Sequence, residues 1–190
     1  MGGTYDPKTN QIVWEFKVPL EEQLAFYKGH PPGALDGLGC RAISLPDHEF
    51  DGHGEPVNAI FEVSCRCGSK RFAATGWVNE DNDIGPPVTL FCDECEEEYE
   101  IFDEAKHGYE ALLAAIEGGV LGGREDDSDH PDDFPDPEPP YEVVVRFEFA
   151  SDVLGGDKWK GQEQDAFTWI TVLARKPDGT LETLIEWECG

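Results

Sequence analysis

Alternation of apolar and polar positions recurs along this chain, and it predicts a mostly β protein with two short helices. In Gln11 to Val18, Ile12, Trp14 and Phe16 can share one face, which predicts a strand. Pro19 then opens a helical pattern with Glu21 and Glu22 in its first turn and Leu20, Leu24 and Tyr27 on one face. Gly29-His30-Pro31-Pro32-Gly33 ends it, and residues 30–56 read as a long irregular connection. Val57 to Ser64 predicts a strand with Val57, Ala59, Phe61 and Val63 on one side. Further strands are expected at Arg71 to Val78, Val88 to Phe91 and Tyr99 to Phe102. A helix is expected from Asp103 or Glu104 to about Glu117, with Tyr109, Leu112, Leu113 and Ile116 apolar at helical spacing and Gly118-Gly119 as its stop.

The pattern then breaks. Gly122 to Pro140 holds five prolines, eight acidic residues and one arginine, with no periodic apolar face, so an extended or disordered linker is expected there. After it the alternation returns. Tyr141 to Phe149 puts Val143, Val145, Phe147 and Phe149 on one face. Phe167 to Ala174 continues Phe167 through Trp169, Thr171 and Leu173, with Trp169 and Trp187 expected to fill the inner face. Lys176-Pro177-Asp178-Gly179-Thr180 is a turn, and Leu181 to Trp187 returns as a strand. Three strands are marginal alone, so this sheet is expected to pack on the first half of the chain or to recruit Gln11–Val18. The expected class is α+β, mostly β. Its organisation is an N-terminal region 1–121, a linker 122–140 and an antiparallel segment 141–190 that can belong to the same domain.

Composition narrows the setting. The chain has 190 residues, 39% of them hydrophobic, enough for one sizeable domain or two small ones. No stretch approaches the ~20 apolar residues of a membrane span. The start, Met1 to Asp6, lacks the basic and apolar regions of a signal peptide, so a soluble cytoplasmic protein is expected. The formal charge is −27, from 41 acidic and 14 basic residues. Such a chain is repelled by nucleic-acid phosphates and by anionic membranes, and its electrostatics favour a basic protein partner. The same charge also serves solubility or adaptation to salt.

Candidate chemistry concentrates in four cysteines. Cys65-Arg66-Cys67-Gly68 is followed, after twenty-three residues, by Cys92-Asp93-Glu94-Cys95. Two close pairs at that separation can converge on one tetrahedral ion, and thiolate sulfur selects Zn²⁺. In a reducing compartment paired cysteines hold metal more often than they form disulfides. Gly68 permits the tight turn that points backbone N–H groups at sulfur.

The succession strand, knuckle, strand, loop, strand, knuckle, strand over about residues 57–103 resembles a zinc ribbon. The resemblance implies a structural metal and a local fold, and no particular task. The first pair is C-x-C where many ribbons carry C-x-x-C, a changed bite that leaves room for His107 or Cys40 to replace one thiolate. Ribbons that bind nucleic acid need Lys and Arg, yet Glu62 to Lys106 carries twelve acids against four bases, a formal −8. Arg66, Lys70 and Arg71 read as compensation for a doubly negative zinc–tetrathiolate centre.

Other constellations are weaker. His48 and His53 stand among four carboxylates in Asp47 to Glu55, but five residues apart in a glycine-containing loop and without H-E-x-x-H. Cys40 and Cys189 are isolated, and Cys189 reads as a spare thiol. No P-loop, G-x-G-x-x-G or G-x-S-x-G is present. The leading reading is a non-catalytic, acidic zinc protein that acts by protein–protein interaction, for instance as an inhibitor or immunity protein for a basic partner. The alternative is an enzyme or enzyme subunit with a structural zinc and a site near His48 and His53. A nucleic-acid-binding ribbon is the reading least compatible with the charge.

Overall fold

The structure is a computed structural model, and it describes residues 3–6, 11–14, 17–45, 57–78, 84–118, 131–133 and 140–189. It is α+β and mostly β. In chain order the elements are β1 (Gly3–Asp6), β2 (Gln11–Trp14), α1 (Leu20–Gly29), β3 (Gly39–Ile43), β4 (Val57–Ser64), β5 (Arg71–Val78), β6 (Ile84–Cys92), β7 (Glu98–Phe102), α2 (Tyr109–Glu117), β8 (Pro131–Asp133), β9 (Tyr141–Phe149), β10 (Phe167–Arg175) and β11 (Leu181–Glu188). Among the described residues β1 and β2 form a two-stranded sheet, and the other nine strands form one antiparallel sheet. Gln11–Trp14 therefore pairs with Gly3–Asp6 and does not join the strands after residue 140.

Strand β9 organises the large sheet. One of its edges is taken by β10 and then β11. Its other edge is shared: Val144 to Phe149 pair with Glu62 to Val57 of β4, and Glu142 and Tyr141 pair with Arg71 and Phe72 of β5. Strands β4 and β5 thus run in one direction, end to end, along the same edge. From Val144 to Glu142 is two steps on β9, while the facing chain goes from Glu62 to Arg71. The surplus residues are extruded as a loop, and that loop is the first cysteine turn. Beyond β5 the sheet continues through β6 to β7, and it curls until β6 approaches β11.

The apolar alternation places the core on the inner face of this curl. Val57, Ala59, Phe61 and Val63 of β4 and Val143, Val145, Phe147 and Phe149 of β9 are all buried there, as the sequence pattern predicts. A row of rings crosses four strands: Phe61 meets Phe147 at 6.3 Å between centroids, Phe147 meets Phe167 at 4.8 Å, and Phe167 meets Phe102 at 6.3 Å. Helix α1 closes one side, with Tyr27 stacked on Phe149 at 3.7 Å and Leu20 and Leu24 packed against the same core. The opposite sheet face carries a smaller apolar patch of Ile60, Val144 and Leu173. Beside that patch Glu62 pairs with Arg41 and, at 2.8 Å, with Arg175, while Arg146 reaches Thr171 at 3.0 Å.

Several expectations change. The face expected for β10 is split by a register shift between Phe167 and Trp169. Phe167, Ile170, Val172 and Ala174 therefore enter the main core, whereas half-buried Trp169 lies outside it and donates its indole N–H to Glu186 at 3.2 Å. A single extra residue reverses which alternate positions point inward. Helix α2 begins at Tyr109 because Asp103 starts a turn of its own, accepting the Ala105 N–H at 2.9 Å, and because Gly108 has φ +89°. A Cβ on Gly108 would lie 2.7 Å from the Cys189 Cβ, so glycine at this position makes room for Cys189. Cys189 is correspondingly a packing residue, only 8% exposed, with burial raising its thiol pKa. The connection expected to be irregular over 30–56 contains β3, which pairs with β4. Within 122–140, Pro131–Asp133 pair with Thr75 to Trp77 of β5. The loop with His48 and His53 lies outside the described residues.

Truncating the central ring tests this packing. Phe147→Ala should lower unfolding free energy by about 3–5 kcal/mol in urea denaturation, because it removes a fully buried ring from the row. Ile116→Ala, at a position 48% exposed, should change it by no more than ~0.5 kcal/mol.

Candidate metal centre

Each cysteine turn is dictated locally. In the first, the Cys65 N–H donates to the Ser69 carbonyl at 2.8 Å and the Gly68 N–H to the Cys65 carbonyl at 2.9 Å. Gly68 takes φ +96°, a conformation in which a side chain is strained. In the second, the Cys92 N–H donates to the Glu97 carbonyl at 3.0 Å and the Glu96 N–H to the Cys92 carbonyl at 2.9 Å. Here Glu96 takes the left-handed φ of +59° without being glycine. β5 ties the turns together, since the Asp93 N–H donates to the Arg71 carbonyl at 3.1 Å.

The result is a compact group of sulfurs. Cys65, Cys67, Cys92 and Cys95 all lie with their Sγ atoms within 4.8 Å of one another and can hold a metal ion. The shortest separations run between the turns, 3.4 Å from Cys65 to Cys95 and 3.5 Å from Cys67 to Cys92. A tetrahedral site with metal–sulfur bonds of ~2.3 Å needs sulfurs ~3.8 Å apart, so the group fits a small ion with modest adjustment. All six cysteines are free thiols. The two substitutes that the C-x-C bite leaves room for are placed elsewhere: His107 accepts the Asp103 N–H on Nδ1 at 3.0 Å, and the Cys40 thiol lies 3.8 Å from the Leu38 carbonyl.

Charge explains why these sulfurs suit a cation. In the metal-free protein they cannot all ionise together. Cys65 is drawn down to about 6, first by the hydrogen bond from Tyr99. Cys95 receives a backbone hydrogen bond at Glu97 that lowers its pKa, but the sulfurs of Cys65 and Cys92 outweigh it and push the thiol up to about 12. Cys67 is likewise raised, its bond at Ser69 outweighed by Cys65 and Cys92. A divalent cation reverses this crowding and allows four thiolates.

One partner escapes sequence reasoning. Tyr99, only 7% exposed, places its Oη 3.2 Å from the Cys65 Sγ. The same oxygen accepts the Arg66 N–H at 3.4 Å, which leaves its own hydrogen for the sulfur. Burial and the adjacent Cys65 push this phenol up to about 12, so it stays a donor at neutral pH. The alternation of β7 marks Tyr99 as inward-facing, but nothing in the sequence aims it at a sulfur. Arg66 donates its Nε–H to the Gly37 carbonyl at 3.1 Å and pairs with Glu97 at 3.5 Å, and Arg71 pairs with Asp93 at 3.6 Å. These exposed pairs link the two turns and the 33–38 loop, each contributing no more than ~1 kcal/mol.

No protein-family model matches the chain, and no curated protein or solved structure is significantly similar to it.

Two outcomes check the site. Metal affinity, measured by chelator competition, should fall more than ~10-fold on going from about pH 8 to about pH 6, because binding must displace protons from the raised thiols. Tyr99→Phe should weaken metal affinity by ~10–100-fold while leaving the fold intact, since the ring stays in place and the hydroxyl's hydrogen bonds to Cys65 and from the Arg66 N–H are lost.

Proposed function

We propose that Cys65, Cys67, Cys92 and Cys95 bind one structural Zn²⁺ in a zinc-ribbon-like unit, and that the protein is a non-catalytic, acidic binding protein for a basic partner. The observation that carries the metal reading is the four-sulfur set itself. Thiolate ligands select zinc among common divalent ions, and four of them close its shell, leaving no position for a catalytic water. Among the described residues no helix is long and apolar enough to cross a membrane.

The partner reading rests on where the acids sit. Asp93, Glu94, Glu96, Glu97, Glu98 and Glu100 are all exposed around the second turn. With the whole chain at −27, phosphate backbones are repelled, whereas a basic protein gains encounter rate. An inhibitor or immunity protein that blocks a basic target is one form this takes.

Elemental analysis of protein purified without added metal should return one zinc per chain. Complexes recovered from the native source should contain a basic partner, and their association rate should fall as salt shortens the Debye length below ~10 Å. Deleting residues 122–140 should weaken the complex only modestly, because acids are spread along the chain. Submicromolar affinity for duplex DNA or RNA, or a complex indifferent to salt, would refute the reading.

A further inference from the structure

Two of the four cysteines are exposed and two are buried. Cys67 and Cys95 are exposed, while Cys65 and Cys92 are only 3% and 2% exposed. The close contacts are crossed: exposed Cys95 lies against buried Cys65, and exposed Cys67 against buried Cys92, at 3.4 Å and 3.5 Å. Each accessible sulfur therefore has a protected one beside it, and each such pair joins the two turns.

That arrangement has a chemical consequence. A thiolate that meets a hydroperoxide becomes a sulfenic acid, and a sulfenic acid condenses with a neighbouring thiol if one is within reach. Access selects the sulfur that is attacked, and proximity selects the one that resolves it. The exposed acids from Asp93 to Glu100 add a filter. They repel anionic oxidants and the negatively charged glutathione, and they admit neutral hydrogen peroxide.

We propose that the cysteine cluster is a peroxide-responsive metal-release site, in which oxidation at Cys67 and Cys95 expels the ion and closes crossed Cys65–Cys95 and Cys67–Cys92 disulfides. The proposal rests on the zinc–tetrathiolate reading above. In each half of the reaction the exposed thiolate attacks one peroxide oxygen, so an S–O bond forms, the O–O bond breaks and hydroxide leaves. The buried thiolate then attacks that sulfur, so an S–S bond forms, the S–O bond breaks and a second hydroxide leaves. Solvent protons convert both hydroxides to water. Two electrons pass from each sulfur pair to one peroxide, two peroxides are consumed in all, and Zn²⁺ departs as its ligands are lost.

The crossing decides what happens to the fold. Cys65 follows β4 and Cys92 ends β6, so the two disulfides replace the ion as the link between the turns. The oxidised protein keeps its turns joined without metal, whereas reduced protein stripped by a chelator has neither link. Cys40 and Cys189 lie outside the cluster and take no part.

The test uses the full chain and its Cys40→Ala/Cys189→Ala variant, both purified reduced. Zinc is measured first; hydrogen peroxide is then added, released zinc is read with a chromogenic chelator, and sulfur pairing is mapped by mass spectrometry. Cleavage after Arg66, Arg71 and Glu94 separates all four sulfurs. The expected result is loss of the bound zinc together with all four cluster thiols, and the two crossed disulfides in both proteins. The oxidised form should melt above the chelated reduced form, and a dithiol reductant with zinc should restore the starting state. Zinc present at the outset but retained under excess peroxide overturns the proposal alone. So do release with Cys67 and Cys95 left as sulfinic acids, pairing within a turn, and an oxidised form that melts no higher than the stripped one. Absence of zinc before any oxidant is added overturns the tetrathiolate reading, and this proposal with it.

Discussion

Strand β9 is the constraint on which the rest of the structure depends. It contributes to both apolar clusters, with Val145, Phe147 and Phe149 in the main core and Val144 in the smaller patch behind it. It is also paired on both edges, with β10 on one side and with β4 and β5 in succession on the other. Because β4 and β5 share one edge, the residues between them have no place in the ladder and must leave the sheet. The first cysteine turn is that departure. A strand some seventy residues downstream thus sets where Cys65 and Cys67 stand, and the curl of β5, β6 and β7 brings Cys92 and Cys95 to meet them.

Much of this was legible in the sequence where periodicity was strong. The alternations in Val57–Ser64 and Tyr141–Phe149 identify both strands and their inward faces, and the cysteine spacing identifies the four residues whose sulfurs converge. What was not legible depends on contacts between distant residues. The register shift after Phe167 turns Trp169 away from the core, and composition alone gives no sign of an extra residue. The delayed start of α2 follows from Gly108 making room for Cys189, about eighty residues away. The strand at Gly39–Ile43 is hidden in a stretch rich in Gly, Pro and Asp because its pairing with β4, not its own pattern, makes it a strand. Tyr99 likewise becomes a sulfur partner only when β7 folds back beside the first turn.

The site makes physical sense as a balance of like charges. Four thiols packed within 4.8 Å resist ionising together, which is why Cys65 and Cys95 lie so far apart, at about 6 and about 12. The same crowding makes a divalent cation a strong organiser of the local fold, since binding energy there is folding energy. The surrounding acids do not serve the ion; Arg66 and Arg71 engage Glu97 and Asp93 and so moderate a collar that remains negative. In the proposed function, four sulfurs would close the metal's shell and the acidic rim around it would meet the basic partner.

The central claim is that a single zinc ion sits among four sulfurs. X-ray absorption at the zinc edge, on protein purified without added metal, tests it most directly. The account predicts a first shell fitted by sulfur alone, with four ligands at ~2.3 Å. A shell containing nitrogen or oxygen at ~2.0–2.1 Å, as a histidine or water ligand would give, would contradict it.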